Sequence, residues 1–365
     1  MAQRLEIPEH MPERRYQVRI RKRLDFGTVR RILIRSTNWI GDAILTTPAV
    51  RAVRRNFPDS EITILARPWV VPVFEASTEI DQIMIYEFDG RHQGWYGKIQ
   101  LIKELKRGEF ELAILFQNAF EAALLAFGAS IPYRMGYNTD GRGLFLTHSV
   151  ACTHQAKEVH EIDYYLGILE AFGMRPDGRE LSLSISQKNR DRAREILREY
   201  LLCGKRLVGV NPGATFGSAK RWFPERYAAL ADMIHEEFMA AIVIFGSRSE
   251  VKVADRVASL MRHPSVNLCG KTGLGEAFAL IQECSLFITN DSGLMHAAAA
   301  LDVPVIALFG STDPVTTGPN SRMSKVVRVP TSCSPCLKPV CVEDHRCMKQ
   351  ISVSMVFDHV KEFLK

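Results

Sequence analysis

The 365-residue chain contains no run of roughly 18 uncharged apolar residues, the length a membrane-spanning helix requires, and its N-terminus has charges where a signal peptide has an apolar core. A cytoplasmic location is therefore expected. It has no GxGxxG and no GxxxxGK[ST] stretch, which argues against a dehydrogenase with the usual dinucleotide fingerprint and against a P-loop nucleotidase. Nor is there a compositional bias: 46% hydrophobic and 24% charged residues exclude a disordered or collagen-like chain. Cysteines are few, eight in all, and in a cytoplasmic chain disulfides are disfavoured. Excess charge of one sign is missing from most of the chain. Residues 1–31 hold nine Arg or Lys against four acids, so +5 of the net +6 sits in that short stretch. Such a basic N-terminal extension (residues 1–30) suits either an anionic membrane surface, at about 1 kcal/mol per basic residue near the lipid, or a solvated or loosely paired extension. Nucleic acid is not expected as a partner, because the basic charge stops where the folded part begins.

What the sequence does contain is alternation. RILIRS (Arg31–Ser36), EITILA (Glu61–Ala66), DQIMIY (Asp81–Tyr86) and ELAILF (Glu111–Phe116) read as buried strands. Helical patterns separate them, including Lys98–Lys106 and His160–Phe172. A second series runs through RLVGVN (Arg206–Asn211), AIVIFG (Ala241–Gly246), VNLCG (Val266–Gly270), LFITN (Leu286–Asn290) and PVIALFG (Pro304–Gly310). Between its first two strands, Tyr227, Leu230, Ala231, Ile234 and Phe238 recur at helical spacing. The length suits two domains. An α/β fold is expected, with domains at 31–185 and 186–350 and a last helix at 351–365 whose apolar stripe is Val353, Val356, Phe357, Val360 and Leu364. A crossing of that helix back to the first domain is left open.

Ligands of open α/β sheets bind beyond the carboxyl ends of the strands. Three strand-ending loops are polar enough to matter: STNWIGD (Ser36–Asp42), NPGATFGSAKRW (Asn211–Trp222) and NDSGLMH (Asn290–His296). A helix starting at Ser292 or Gly293 offers free N–H groups and a positive dipole end to a phosphate. Gly293 admits a ligand to the backbone, Ser292 offers a hydroxyl, and His296 lies one turn further on the same side. Asp291 repels phosphate, so it either caps the helix or orients His296 and a ribose hydroxyl. The bland reading is that Asp291 or Ser292 is only an N-cap. In the middle loop Gly213 and Gly217 allow tight turns, Ser218 adds a hydroxyl and Lys220 a mobile cation for a departing diphosphate. Trp222 before Pro224 reads as packing at a helix start. Asp42 either caps a helix or takes a proton from an incoming hydroxyl.

Taken together and in this order, ILIRSTNWIGDAILTTPAVRAVRRNFP, NPGATFGSAKRWFPERYAALA and TNDSGLMHAAAALDVPVIALFGSTDP resemble glycosyltransferase family 9, within it the lipopolysaccharide heptosyltransferases and type II most closely. The resemblance implies a GT-B type pair of Rossmann-like domains facing across a cleft, the acceptor on the first and the sugar nucleotide on the second. It implies Asp42 as general base and Lys220 as the phosphate-binding lysine. Asp291, Ser292, Gly293 and His296 match the grip on the ADP part of ADP-heptose, and Glu250 matches a ribose-binding acid. The acceptor would be a heptose of the lipopolysaccharide inner core, and one displacement would invert the anomeric centre, with fixed donors and no metal or other cofactor. A family member using another sugar nucleotide, or a nucleotide-sugar-binding protein without catalysis, remains an alternative. CSPCLKPVCVEDHRC stands outside that chemistry. Cys333, Cys336, Cys341 and Cys347, with His345, leave open a structural zinc or an iron–sulfur cluster, although a four-cysteine site normally has two tight pairs and this has one. Cys152, Cys203, Cys269 and Cys284 read as packing residues.

Overall fold

The computed structural model describes residues 16–365, which divide into two compact units, 16–179 and 180–365. The first is built on a seven-stranded sheet of β1 (Val18–Ile20), β2 (Arg31–Arg35), β3 (Glu61–Ala66), β4 (Gln82–Ile85), β5 (Leu112–Leu115), β6 (Tyr133–Tyr137) and β7 (His148–Val150). Their spatial order is β1-β7-β6-β5-β2-β3-β4. All pairs are parallel except β1 with β7. Counted from β2, the parallel part has the order 3-2-1-4-5-6 of dinucleotide-binding sheets.

The second unit repeats that order without a repeat of sequence. Its strands are β8 (Leu207–Asn211), β9 (Ala241–Ile244), β10 (Ser265–Asn267), β11 (Leu286–Asn290), β12 (Val305–Phe309) and β13 (Ser324–Arg328), arranged β10-β9-β8-β11-β12-β13 and all parallel. β8, β11 and β12 are buried at every position, as strands covered on both faces must be. Val208, Ile242, Ile288 and Ile306 pack with Tyr227, Leu230 and Ile234 of the helix Pro224–Phe238. The last helix, Val353–Leu364, buries Val356, Phe357, Val360 and Leu364 in this same core. It packs on the helix Pro224–Phe238 and on β11 to β13, so its stripe has an apolar partner within the second unit.

Over the part that is described, the basic extension is paired at the backbone and exposed at its side chains. Val18, Arg19 and Ile20 pair with Val150, Ser149 and His148, closing one sheet edge. The Tyr16 hydroxyl donates to Glu170 at 2.7 Å, and Arg21 donates to the Leu144 carbonyl at 2.6 Å. Arg19, Arg21, Lys22 and Arg23 remain exposed. Residues 1–15, with Arg4, Arg14 and Arg15, lie outside the described residues. Among the described residues no helix is long and apolar enough to cross a membrane.

Candidate active site

In a 3-2-1-4-5-6 sheet the crevice opens where the chain reverses direction, between the first and fourth strands. In the second unit these are β8 and β11, and they end at Asn211 and Asn290. Two of the three polar loops therefore begin side by side at this switch point. Asn290 staples them: its Nδ2 donates to the carbonyls of Pro212 (2.9 Å) and Gly213 (3.0 Å), and its Oδ1 accepts from the Trp222 N–H and the Tyr227 hydroxyl, both at 3.0 Å. A fully buried amide with every donor and acceptor satisfied holds the loop rigidly. Asn211 contributes from its side through its amide nitrogen, which donates to Ser292 Oγ (2.9 Å) and Thr289 Oγ1 (3.2 Å), while its Oδ1 has no partner. Neither asparagine stands out as a site residue in the sequence; both are strand-terminal polar residues, and that position is the only signal.

The helix Gly293–Ala300 begins here with Ser292 as its N-cap, but the serine side chain caps nothing. Its hydroxyl is turned instead toward Asn211 and Thr289, at 2.9 and 3.1 Å. Asp291 is not the cap either. It is buried, and its Oδ2 accepts from Lys220 Nζ at 2.6 Å. Lys220, expected as a mobile cation, is thus already paired and lies 4.9 Å from the centre of the Phe216 ring. A charge so deeply placed needs a counter-charge, and Asp291 is the one within reach. His296 is buried in the first turns of the helix. Ala297, Ala298 and Ala299 are buried behind it, small enough for the helix to lie against β11 and β12. That is what the polar-then-alanine pattern achieves: a helix end held at the crevice by residues that only pack.

Glu250 reaches the same loop from the end of β9. Its Oε2 accepts from the Ser247 N–H and hydroxyl at 2.7 Å each, a capping box on the next turn. A Cβ on Gly213 would stand 2.2 Å from Oε1 of the same carboxylate. Gly213 is therefore glycine for space, not for a turn. Gly213→Ala should push Glu250 aside and lower stability by about 1–3 kcal/mol, read by denaturant unfolding, with little loss of helix content. Ser218 sits on the short turn Ser218–Lys220, next to Gly217, where a Cβ would strike the Pro339 carbonyl at 2.0 Å.

The first unit has its own switch point, between β2 and β5, and the loop leaving β2 carries Asp42. Asp42 lies in the first turn of the helix Ile40–Leu45; the N-cap is Trp39, so the capping role fails for this residue as well. The carboxylate is half-buried, and its charge is felt by Glu161 at the start of the helix Glu161–Glu170. Burial first, and Asp42 second, push Glu161 up to about 7. Tyr165 is driven upward by the same causes, burial and then Asp42. Because folding raises the Glu161 pKa, this group weakens the folded state as pH climbs from the unfolded value toward 7 and has no effect below it. Glu161→Gln should therefore add on the order of 1 kcal/mol at pH 8 and nothing at pH 4, measured by urea unfolding.

The four cysteines near the C-terminus line one cavity of about 60 Å³ together with Ser311, Lys338 and Arg346, and all four are free thiols. Among the described residues no group of three or more His, Cys, Asp or Glu is set to hold a metal ion. Of the scattered cysteines, Cys269 and Cys284 are buried, Cys152 is half-buried and Cys203 is exposed.

With this geometry in place, the chain can be set beside known proteins. The model of the family described as glycosyltransferase family 9 (heptosyltransferase) matches residues 98–346. The chain belongs to that family. Lipooligosaccharide heptosyltransferase 2 of Haemophilus ducreyi is 30% identical over 82% of this chain and 88% of its own. Lipopolysaccharide heptosyltransferase 2 of Escherichia coli is 28% identical over 82% and 88%. Among solved structures, the ADP-heptose lipopolysaccharide heptosyltransferase II of E. coli superposes with a TM-score of 0.78 at 26% identity, covering 92% of this chain and 98% of that one. A family 9 glycosyl transferase from Veillonella parvula gives 0.83 at 26% identity over 94% and 98%. The protein is thus a family 9 glycosyltransferase, with two Rossmann-like α/β units.

Proposed function

We propose that this glycosyltransferase moves a heptose from ADP-heptose to a heptose of the lipopolysaccharide inner core, by one inverting displacement. The observation that carries the reading is the cradle at the second switch point, where the free N–H groups of the helix beginning at Gly293 lie beside Lys220. As the anomeric bond breaks, the leaving diphosphate gains negative charge; a fixed helix end and a lysine ammonium stabilise that charge more than they stabilise the bound donor. The Asp291 carboxylate keeps Lys220 in position until the phosphates compete for it. In this reading Gly213, Ser218, Glu250, Ser292, Gly293 and His296 line the nucleotide site, with Glu250 Oε1 available to a ribose hydroxyl. Asp42, on the first unit, accepts the proton of the acceptor hydroxyl as it attacks the sugar, which acquires oxocarbenium character.

Phosphate grips do not name the sugar or the base, so the donor is tested directly. ADP-heptose should raise the melting temperature of the protein by several degrees at saturating concentration, as mass action requires of a ligand bound only by the folded state. UDP- and GDP-sugars should not. Equal protection by a UDP-sugar would point to another donor. The exposed Arg19, Arg21, Lys22 and Arg23 suit association with the anionic inner face of the membrane that carries the acceptor. Sedimentation with anionic vesicles, lost at high salt and on replacing these four by Gln, tests that association; binding unchanged by the replacement would contradict it.

A further inference from the structure

The carboxyl end of the first sheet holds a second group of side chains that the reaction as described does not use. Arg35 ends β2 and Arg67 follows β3, on neighbouring strands, and only 3% and 8% of these residues is exposed. Arg35 is largely engaged: Nη1 donates to the carbonyls of Ser36 and Leu65, and Nη2 to Asn38 Oδ1 at 2.8 Å. Arg67 is not. Neither its Nε nor its Nη1 has a hydrogen-bond partner, and among the described residues no carboxylate pairs with it.

What surrounds Arg67 instead is aromatic. Its guanidinium carbon lies 4.1 Å from the Phe88 ring centre, 4.5 Å from that of Tyr86 and 5.7 Å from that of Trp69. The acids that act on it, Glu121 and Asp89, do so at longer range. Both Glu121 oxygens are already used, one by the Tyr86 hydroxyl and the other by Lys98. Arg35 adds a second positive charge behind it. Trp69 and Phe88 are 47% and 38% exposed, so the aromatic group opens to solvent at its rim. Trp69 Nε1 donates to the Asn38 carbonyl at 2.8 Å, which joins this group to the loop that leads to Asp42.

A buried guanidinium with two unmet donors is destabilising unless something completes it. Its planar fork matches one kind of ligand best, a carboxylate or phosphate held by two parallel hydrogen bonds. The rings around it offer apolar faces to the rest of that ligand. We propose that Arg67, backed by Arg35, anchors an anionic group, carboxylate or phosphate, of the saccharide acceptor. This rests on the reading of the first unit as the acceptor side, and it adds a requirement: the acceptor must be acidic near the reacting sugar.

The test uses the full chain and a de-acylated core saccharide ending in one heptose, prepared in native, carboxyl-reduced and dephosphorylated forms. Calorimetry needs no turnover, so it separates this site from the transfer reaction itself. Native saccharide should bind wild type roughly 10- to 100-fold more tightly than one of the two neutralised forms, and which form fails names the group. Equal binding of all three forms overturns the proposal, with no variant needed. Arg67→Met keeps apolar contact with the rings and should lose the same factor in binding and in acceptor KM, with kcat and donor KM within about threefold of wild type. Arg67→Lys should recover part of it. An unchanged acceptor KM in a folded Arg67→Met protein also overturns the proposal. If wild type binds the acidic saccharide selectively yet transfers nothing from ADP-heptose, the anchor stands and the donor assignment is what fails.

Discussion

Asp42→Asn should lower the rate of heptose transfer by roughly 10²- to 10⁴-fold while leaving the affinity for ADP within about twofold of wild type. The substitution keeps size and removes the basic carboxylate that, in the proposed mechanism, takes the acceptor proton. The nucleotide cradle proposed above draws on residues of the second unit alone, so it should not register the change. Stability gives an independent check. The Asp42 charge helps to raise Glu161, so its removal should let Glu161 ionise at lower pH. Any inflection of unfolding free energy near pH 7 should accordingly move downward in Asp42→Asn. A variant that transfers at the wild-type rate would remove Asp42 from the chemistry, whatever its effect on Glu161.

The second large effect concerns Lys220. Lys220→Met should reduce kcat by about 10²- to 10³-fold, the usual loss when a fixed positive group facing a developing anion is taken away. It should also destabilise the fold by roughly 3–5 kcal/mol, because Asp291 is then left as a buried charge without its partner. These two consequences separate in a double variant. Lys220→Met with Asp291→Asn should recover most of the lost stability, since no uncompensated charge remains, and should recover none of the rate. If the double variant regains activity along with stability, Lys220 serves only to neutralise Asp291 and the diphosphate is stabilised by other groups. Denaturant unfolding and steady-state transfer, measured on the four proteins of the cycle, decide between these outcomes.

Strands were readable where burial writes an uninterrupted apolar run. EITILA and LFITN coincide with β3 and β11 over their full length, and the helix Pro224–Phe238 follows the three-and-four spacing of its apolar face. The strands that escaped are of another kind. β1 is exposed at every position, β13 is mixed, and YRMGY of β6 has Gly136 and a charged residue inside it. Edge pairing makes such segments into strands, and pairing across 130 residues of sequence leaves no local trace. Strand order was likewise invisible, and strand order is what brings Asn211 to Ser292 and sets Asp42 at a switch point. For the site itself, polar loops at strand ends pointed to Ser292, Lys220 and Asp42. They could not say that Lys220 is paired with Asp291, that Glu250 stands against Gly213, or that Arg67 lacks a partner, because each of these depends on a residue tens of positions away.

Mass measurement of the acceptor tests the central claim most directly. De-acylated core saccharide ending in one heptose, incubated with the protein and ADP-heptose, should gain the mass of a single heptose while free ADP appears in equal amount, and should gain nothing with a UDP- or GDP-sugar. An acceptor of unchanged mass in the presence of ADP-heptose, from protein that is folded and binds ADP, would contradict the account.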